Sequence, residues 1–453
     1  MAEFSVRDIC SATGGRIQQC EENYFTGVST DTRTIKPGNL FVAITGERFD
    51  GHSFINQAIQ NGASGIIVST QISAINSDIT VIVVEDTLKA YQDIAAFHRN
   101  RFSIPVIAIT GSNGKTTTKD FTAAVLSSRW NVLKTQANYN NEIGLPLTLL
   151  HLEPCHDVAV VEMGMRGLGE IHELTEIARP TIAILTNVGE THIELLGSLD
   201  NIATAKSELV SAIPKDGFVV LNADNDHVRN MSTKSLGRVV YYGIQHEQCQ
   251  VRAVNVRTHE LETVFDCEHS QGVFTAVIPA LGKHNVYNAL AAITTALALG
   301  LHSDEIKAGL RTFTPSAMRL AVEKIGNYNI INDAYNASPM SMAAAIDTLV
   351  EFAPGRRIAV LGDMLELGSM AVKAHQEIGQ KLAAAGVDIV VTVGELAQNI
   401  AVSAQEHGIT TVKACGSHAH AQRYLQELLK PGDTVLLKGS RGMKMEKILE
   451  ELI

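Results

Sequence analysis

The residues most able to do chemistry lie in VIAITGSNGKTTTK, residues 106–119. An apolar strand runs into a glycine-rich turn, and a helix begins at the Lys-Thr pair. That order is the context of a phosphate loop, in which backbone N–H groups at a helix N-terminus cradle anionic oxygens. Gly111, Ser112, Asn113 and Gly114 would form the cradle, Lys115 would reach the outer phosphates, and the hydroxyls of Thr116 and Thr117 follow, with Thr116 suited to Mg²⁺. The full pattern G-x-x-x-x-G-K-[ST] asks for glycine at position 109, where this chain has Ile109. The loop is a compressed T-G-S-N-G-K-T. An ordinary glycine turn is the bland alternative, and the strand, two glycines, lysine and threonine run in correct order argue against it.

Other candidates follow in the next 100 residues. Glu162 ends VAVVEM, at the carboxyl edge where an α/β sheet binds its ligands. Asn138, Asn140, Asn141 and Glu142 crowd QANYNNEIGLP, His192 sits in NVGETHIELLG, and Lys206 in the helical stretch IATAKSEL. Mg²⁺ takes oxygen ligands, one or two carboxylates with phosphate and water. Taken singly, Glu162 reads as a strand-end charge, His192 as a loop histidine and Lys206 as a solvated helix lysine.

The elements that must position these groups read as an α/β chain. Short strands are expected at 41–44, 65–68 and 81–85, with a helix over 52–61. From about residue 87, a leading helix over 88–102 precedes continuous apolar strands at 106–110, 158–163, 181–188, 218–222 and 239–243. Such strands, separated by helices, predict a parallel sheet covered on both faces. Residues 251–279 alternate polar and apolar around Ser-Gln-Gly, which predicts antiparallel strands, and a long helix follows over 284–299. The rhythm restarts near Thr314-Pro315. Strands at 329–332, 357–361, 388–393, 410–414 and 433–438 alternate with helices at 339–352, 371–385, 395–407, 417–429 and 443–452, a doubly wound pattern.

The expected architecture is therefore three α/β domains: residues 1–86, a central phosphate-loop domain with a mostly parallel sheet over 87–314, and a C-terminal doubly wound, Rossmann-like domain over 315–453. A length of 453 residues suits three domains. Lys and Arg total 37 against 48 Asp and Glu, a net charge of −11, which argues against a general nucleic-acid binder. Six scattered cysteines without a C-x-x-C pair form neither a disulfide framework nor a zinc module. Without an apolar run of 18 residues or a secretory leader, the expectation is a cytoplasmic protein with no membrane span.

Taken together, TGSNGKTTTK, NYNNEIGLPLTLL, VVEMG, NVGETHIELLGS, ATAKSE, GKHNVYNALAA and MRLAVE…NDAYNASPMSM resemble the Mur ligases. These are ATP-dependent amide-bond synthetases that build the peptide stem of the bacterial cell wall. The resemblance runs through the whole chain. Three segments are similar to those of the members that add D-alanyl-D-alanine (D-Ala-D-Ala) to UDP-N-acetylmuramoyl-tripeptide: STDTRTIKPGNLFVAITGERFDGHSF, NDAYNASPMSM, and GDMLELG with His375 downstream, closed by LLKGSRGMKME. The diamino-acid-adding members share the N-terminal segment. The Asp-Asn-Pro-Arg-like segment expected of them is not found.

The resemblance implies roles. Gly111 to Thr117 hold the ATP phosphates, and Lys115 neutralises β/γ charge. Thr116 and Glu162 hold Mg²⁺, His192 belongs to a second Mg²⁺, and Lys206 matches the family lysine that is carbamylated. Asn285, Arg319 and Asp333 close on the nucleotide, with Arg319 on phosphate, Asp333 on ribose, and Tyr335 and Asn336 on the adenine side. Ser29, Asp31, Arg33 and His52, with Asn138, are the candidate contacts to the UDP-sugar substrate. The first domain would carry that substrate, the second ATP and the third the dipeptide, in a chain read as a monomer. The alternatives are the diamino-acid-adding ligase, a folylpolyglutamate synthetase (which lacks the N-terminal module) and a phosphate-loop switch or transport ATPase. No clear DxxG switch segment favours the last, and no G-x-G-x-x-G after a strand favours a dinucleotide oxidoreductase.

Overall fold

A computed structural model describes residues 2–46, 49–72 and 79–450. The chain divides into two compact units. The first comprises Met1–Ala108, Trp130–Gly164 and Glu170–Thr181; the second comprises Ile109–Arg129, Met165–Gly169 and Ile182–Ile453.

In the first unit, five strands stand in the order Arg16–Gln19, Thr80–Val83, Ala63–Val68, Asn39–Val42, Val28–Ser29. All neighbours pair in parallel except the first two, which are antiparallel. Phe41, Ile55, Ile66, Val68 and Val81 form the core on one face. The expected helix over 52–61 begins instead as a 3-10 turn, Gly51–Phe54, capped by the Asp50 carboxylate, and becomes α-helical only over Ile55–Gln60. The helix Thr87–Arg99 starts where the Asp86 side chain accepts from the N–H groups of Leu88 and Lys89, satisfying two orphan donors. Its last residue, Arg99, is buried, and its guanidinium donates to the carbonyls of Phe102, Ile104 and Ala178. The strands Val132–Lys134 and Val158–Glu162 pair in parallel, and the second of them delivers Glu162 at its carboxyl end.

The strand Val106–Thr110 carries the chain into the second unit. There Ile182–Leu185, Phe218–Asn222, Arg238–Gly243 and Val251–His259 pair in parallel in that order. The strands Glu262–His269 and Gly272–Ile278 complete an antiparallel ribbon. The predicted antiparallel segment is thus three strands, with a second turn at Glu260 in the left-handed region (φ 53°). The phosphate-loop helix Lys115–Leu126 packs beside Lys283–Ala298, and its Phe121 ring stacks on Phe313 with centroids 3.6 Å apart. Such a pair contributes about 0.5–1.5 kcal/mol beyond the area it buries.

The rest of this unit is a six-stranded sheet in the order Ala321–Ile325, Tyr328–Asp333, Thr434–Lys438, Arg357–Gly362, Ile389–Val393, Thr411–Cys415. Five strands are parallel and the first is an antiparallel edge. One expected element does not form. Where a helix was expected over 443–452, the described residues form two 3-10 turns, Arg441–Met443 and Met445–Ile448, broken by Lys444 at φ 50°, and residues 451 and 452 lie outside the described residues. Met445 is fully buried there against Gly362 and Gly439, and a Cβ at Gly362 would meet its sulfur at 2.7 Å. Seating that side chain overrides the helical pattern. The chain is of the expected α/β class, with mostly parallel sheets.

Candidate active site

The phosphate loop is built from both of its ends. Gly111 adopts φ 152° and Gly114 φ 81°. A Cβ at Gly111 would lie 1.8 Å from Thr186 Oγ1, and one at Gly114 2.5 Å from Asn288 Oδ1, so both positions need glycine. The loop is tied to the end of the neighbouring strand. Ser112 N donates to Asn187 O at 2.9 Å, and Asn113 N to Asn187 Oδ1 at 2.9 Å. Thr186 Oγ1 and Asn187 Nδ2 both donate to Asn113 O, at 2.6 and 3.1 Å. Lys115 Nζ lies over the loop, donating to Gly111 O at 2.8 Å and Ser112 O at 3.3 Å. A cation, the helix N-terminus and a rigid glycine turn therefore converge on one spot, the arrangement an anionic phosphate requires.

Two groups of the same unit, His192 and Lys206, feel the charge of Lys115. His192 has φ 63° and opens the short helix Ile193–Leu196. Its Nδ1 lies 2.6 Å from Glu366 Oε2. Burial pulls the imidazole below the usual histidine range; Glu366 opposes this, while Lys115 and Lys206 reinforce it. Lys206, on the helix Leu199–Ser211, is only 3% exposed. Burial, with the nearby Lys115 charge, holds its amine well below the ordinary lysine range. It is not the solvated helix lysine of the bland reading. An unprotonated amine is the chemical condition for carbamylation. Glu190 Oε2 and Thr191 Oγ1 are buried without a hydrogen-bond partner.

These observations fit a hard divalent cation. A neutral imidazole, orphaned carboxylate and hydroxyl oxygens and a lysine able to become a carbamate are suitable donors. Among the described residues, no three His, Cys, Asp or Glu side chains cluster closely enough to hold a metal by themselves.

Of the candidate nucleotide residues, Arg319, Tyr335 and Asn336 lie near Asp333. Leu320 N donates to Asp333 Oδ1 at 3.1 Å, and Lys438 Nζ donates to Asp333 Oδ2. The same ammonium donates to Asn336 O at 2.9 Å. The Arg319 guanidinium lies 4.0 Å over the Tyr335 ring, on a turn whose flanking residues Met318 and Leu320 both have positive φ. Ser316 Oγ fixes that turn to the phosphate-loop helix by donating to Asp120 Oδ2 at 2.7 Å. Asn285 is buried, with its amide donating to Leu281 O and its carbonyl accepting from Asn288.

In the first unit, Glu162 is buried; its N–H donates to Thr135 Oγ1, and its Oε1 accepts from Asn140 Nδ2 at 2.7 Å. Asn138 is exposed. Ser29, Asp31 and Arg33 share one turn, with the Arg33 guanidinium on the Asp31 carboxylate, which it holds below the usual carboxylate range. Both ring nitrogens of His52 are already engaged, Nδ1 by Asp50 Oδ1 at 2.7 Å and Nε2 by Ser69 N at 3.0 Å.

Set beside known proteins, residues 24–99 match the model described as Mur ligase family, catalytic domain; residues 109–296 match the Mur ligase middle domain, and 318–441 the Mur ligase glutamate ligase domain. A UDP-N-acetylmuramoyl-tripeptide–D-alanyl-D-alanine ligase of Bacillus subtilis is 39% identical, with 100% of this chain and 99% of that protein covered. The chain belongs to the Mur ligase family. A crystal structure of MurF from Acinetobacter baumannii superposes with a TM-score of 0.92 at 32% identity, covering 100% of this chain and 99% of that one. MurF from Thermotoga maritima in complex with ADP superposes with a TM-score of 0.84 at 29% identity, covering 94% and 96%.

Several residues of this Mur ligase site escaped the sequence reading. Thr186 and Asn187 brace the loop, and they stand in TIAILTNV at a strand's carboxyl end, a position that signals ligand contact. Ser338 caps the helix Pro339–Phe352 and donates to Asn113 Oδ1 at 2.9 Å. Lys438 ends its strand beside Asp333. His375 belongs to the scaffold. It accepts from Met364 N at 3.0 Å through Nε2 and contacts Ala371 O through Nδ1, fixing the GDMLELG turn.

Proposed function

We propose that this Mur ligase joins D-Ala-D-Ala to UDP-N-acetylmuramoyl-tripeptide at the expense of ATP, giving UDP-N-acetylmuramoyl-pentapeptide, ADP and phosphate. Full-length similarity to a curated ligase of that name carries the reading. The phosphate loop supports it chemically.

A carboxylate is a poor electrophile, so the tripeptide carboxylate first attacks the γ-phosphorus of ATP. The bond between that phosphorus and the ADP oxygen breaks, leaving an acyl phosphate. Lys115 and the loop N–H groups offset the charge on the transferring group, and Arg319 supplies a second cation. The uncharged amine of the dipeptide then attacks the acyl carbon. Its C–O bond to phosphate breaks, the nitrogen loses a proton, and an amide remains. Water would destroy the acyl phosphate, so the reaction must be shielded from it. Two Mg²⁺ ions, assigned to Thr116, Glu162, His192 and Lys206 as its carbamate, would lower the charge on the phosphates.

Gly111–Thr117, Asn285, Asp333, Tyr335 and Asn336 are assigned to the nucleotide, and Ser29, Asp31, Arg33, His52 and Asn138 to the UDP-sugar. The reading gives the sugar nucleotide to residues 1–86, ATP to 87–314 and the dipeptide to 315–453, in a cytoplasmic monomer. No described helix is long and apolar enough to cross a membrane.

Phosphate release with ATP, Mg²⁺ and a panel of amine acceptors tests the reading. Release should require UDP-N-acetylmuramoyl-tripeptide and D-Ala-D-Ala together. Equal turnover of the shorter UDP-dipeptide with free meso-diaminopimelate or lysine would assign the chain to the diamino-acid-adding ligases instead.

A further inference from the structure

Glu366 lies in GDMLELG, and its side chain reaches His192, which is distant in sequence. The carboxylate is half-exposed, yet hydrogen bonds fix the backbone that carries it. Met364 N donates to His375 Nε2, Leu365 N to Ser440 Oγ at 2.9 Å, and Glu194 N to Glu366 O at 3.3 Å. Glu366 itself has φ 63°, a conformation few residues other than glycine adopt, and the His192 backbone has the same φ. Gly368, two residues on, packs against Glu194, where a Cβ would sit at 3.4 Å. Two left-handed residues thus bring a carboxylate oxygen to 2.6 Å from a buried ring nitrogen that makes no hydrogen bond among the described residues.

That distance constrains the ring chemistry. Two lone pairs would repel at 2.6 Å, so the contact favours a proton on Nδ1, and in a neutral ring that leaves Nε2 its lone pair. Histidines that bind metals commonly present the opposite nitrogen to a carboxylate, which sets the tautomer and raises the ligand's basicity.

We propose that Glu366 is the positioning residue for His192, holding the imidazole as the Nδ1–H tautomer so that Nε2 is the atom offered to a divalent cation. The inference rests on the reading of His192 as a Mg²⁺ residue. It adds a carboxylate, supplied by the GDMLELG turn of the C-terminal sheet, that does not itself touch the reacting atoms.

The test uses the full chain labelled with ¹⁵N-histidine, without metal, near pH 8, where an ordinary imidazole is neutral. His192→Gln identifies the signals. Long-range ¹H–¹⁵N spectra should show a protonated Nδ1 and a bare Nε2 in the parent. Glu366→Gln should keep that tautomer through its amide oxygen, and Glu366→Ala should give a mixture. In the ligase assay, Glu366→Ala should raise the Mg²⁺ concentration for half-maximal rate by about 10- to 100-fold, leaving KM for the dipeptide unchanged. A parent spectrum with protonated Nε2 would overturn the proposal, as would a Glu366→Ala spectrum identical to the parent's. A raised dipeptide KM with an unmoved Mg²⁺ curve would make Glu366 a substrate contact and also overturn it. The spectra need no turnover, so a chain inactive with D-Ala-D-Ala would refute the proposed function and leave this test standing.

Discussion

Lys115→Ala is expected to abolish ligation with the fold intact. Its ammonium lies over the loop, 2.8 Å from Gly111 O, at the N-terminus of Lys115–Leu126. The loop itself is held by Thr186 and Asn187, whose bonds to Asn113 and Ser112 the substitution leaves in place. Losing a cation that acts on the transferring phosphoryl group should cost on the order of 3 kcal/mol or more, roughly 10²-fold in rate. The lost bonds to the loop carbonyls should lower stability by only about 1 kcal/mol. Steady-state kinetics with thermal melting checks both. A variant that turns over near the parent rate would remove the phosphate-loop assignment.

Lys206→Ala should depress turnover by about 100-fold or more, a loss of several kcal/mol in transition-state stabilisation. An exposed lysine changed to alanine shifts stability by under about 0.5 kcal/mol and leaves the rate alone. Lys206 is buried beside Lys115, with its amine held well below the usual range, so the two cases are distinguishable. Removing a buried side chain also leaves a cavity, so Lys206→Met is the packing control. It should retain stability and still lose rate. Short carboxylic acids should partly restore Lys206→Ala by supplying the missing carboxylate, and ¹³C-bicarbonate should give the parent a carbamate signal absent from both variants. A normal rate and normal Mg²⁺ dependence in Lys206→Met would end the carbamate assignment and leave the ligase reading intact.

What the sequence disclosed follows burial. The strands Val106–Thr110 and Phe218–Asn222 and the helix Pro339–Phe352 stand where their patterns placed them. Continuous apolar runs become buried parallel strands whatever surrounds them. The edge strand Ala321–Ile325 was missed because AVEKI is half-exposed and carries two charges. The helix expected over 443–452 misled because, in its described part, a local helical pattern gave way to the seating of Met445. The site divides in the same way. The phosphate loop is contiguous and was readable directly. Lys206 looks like any helix lysine until the fold buries it. Glu366 and Lys438 matter through partners more than 100 residues away, His192 and Asp333, which no local pattern reveals.

The acyl-phosphate route is the centre of the account, and the path of one oxygen atom tests it most directly. UDP-N-acetylmuramoyl-tripeptide labelled with ¹⁸O in its reacting carboxylate is turned over with ATP and D-Ala-D-Ala, and the released phosphate is analysed by mass. If the carboxylate attacks the γ-phosphorus and the amine then expels phosphate, each phosphate carries one ¹⁸O from the peptide. Unlabelled phosphate, formed while the pentapeptide accumulates, would contradict the account.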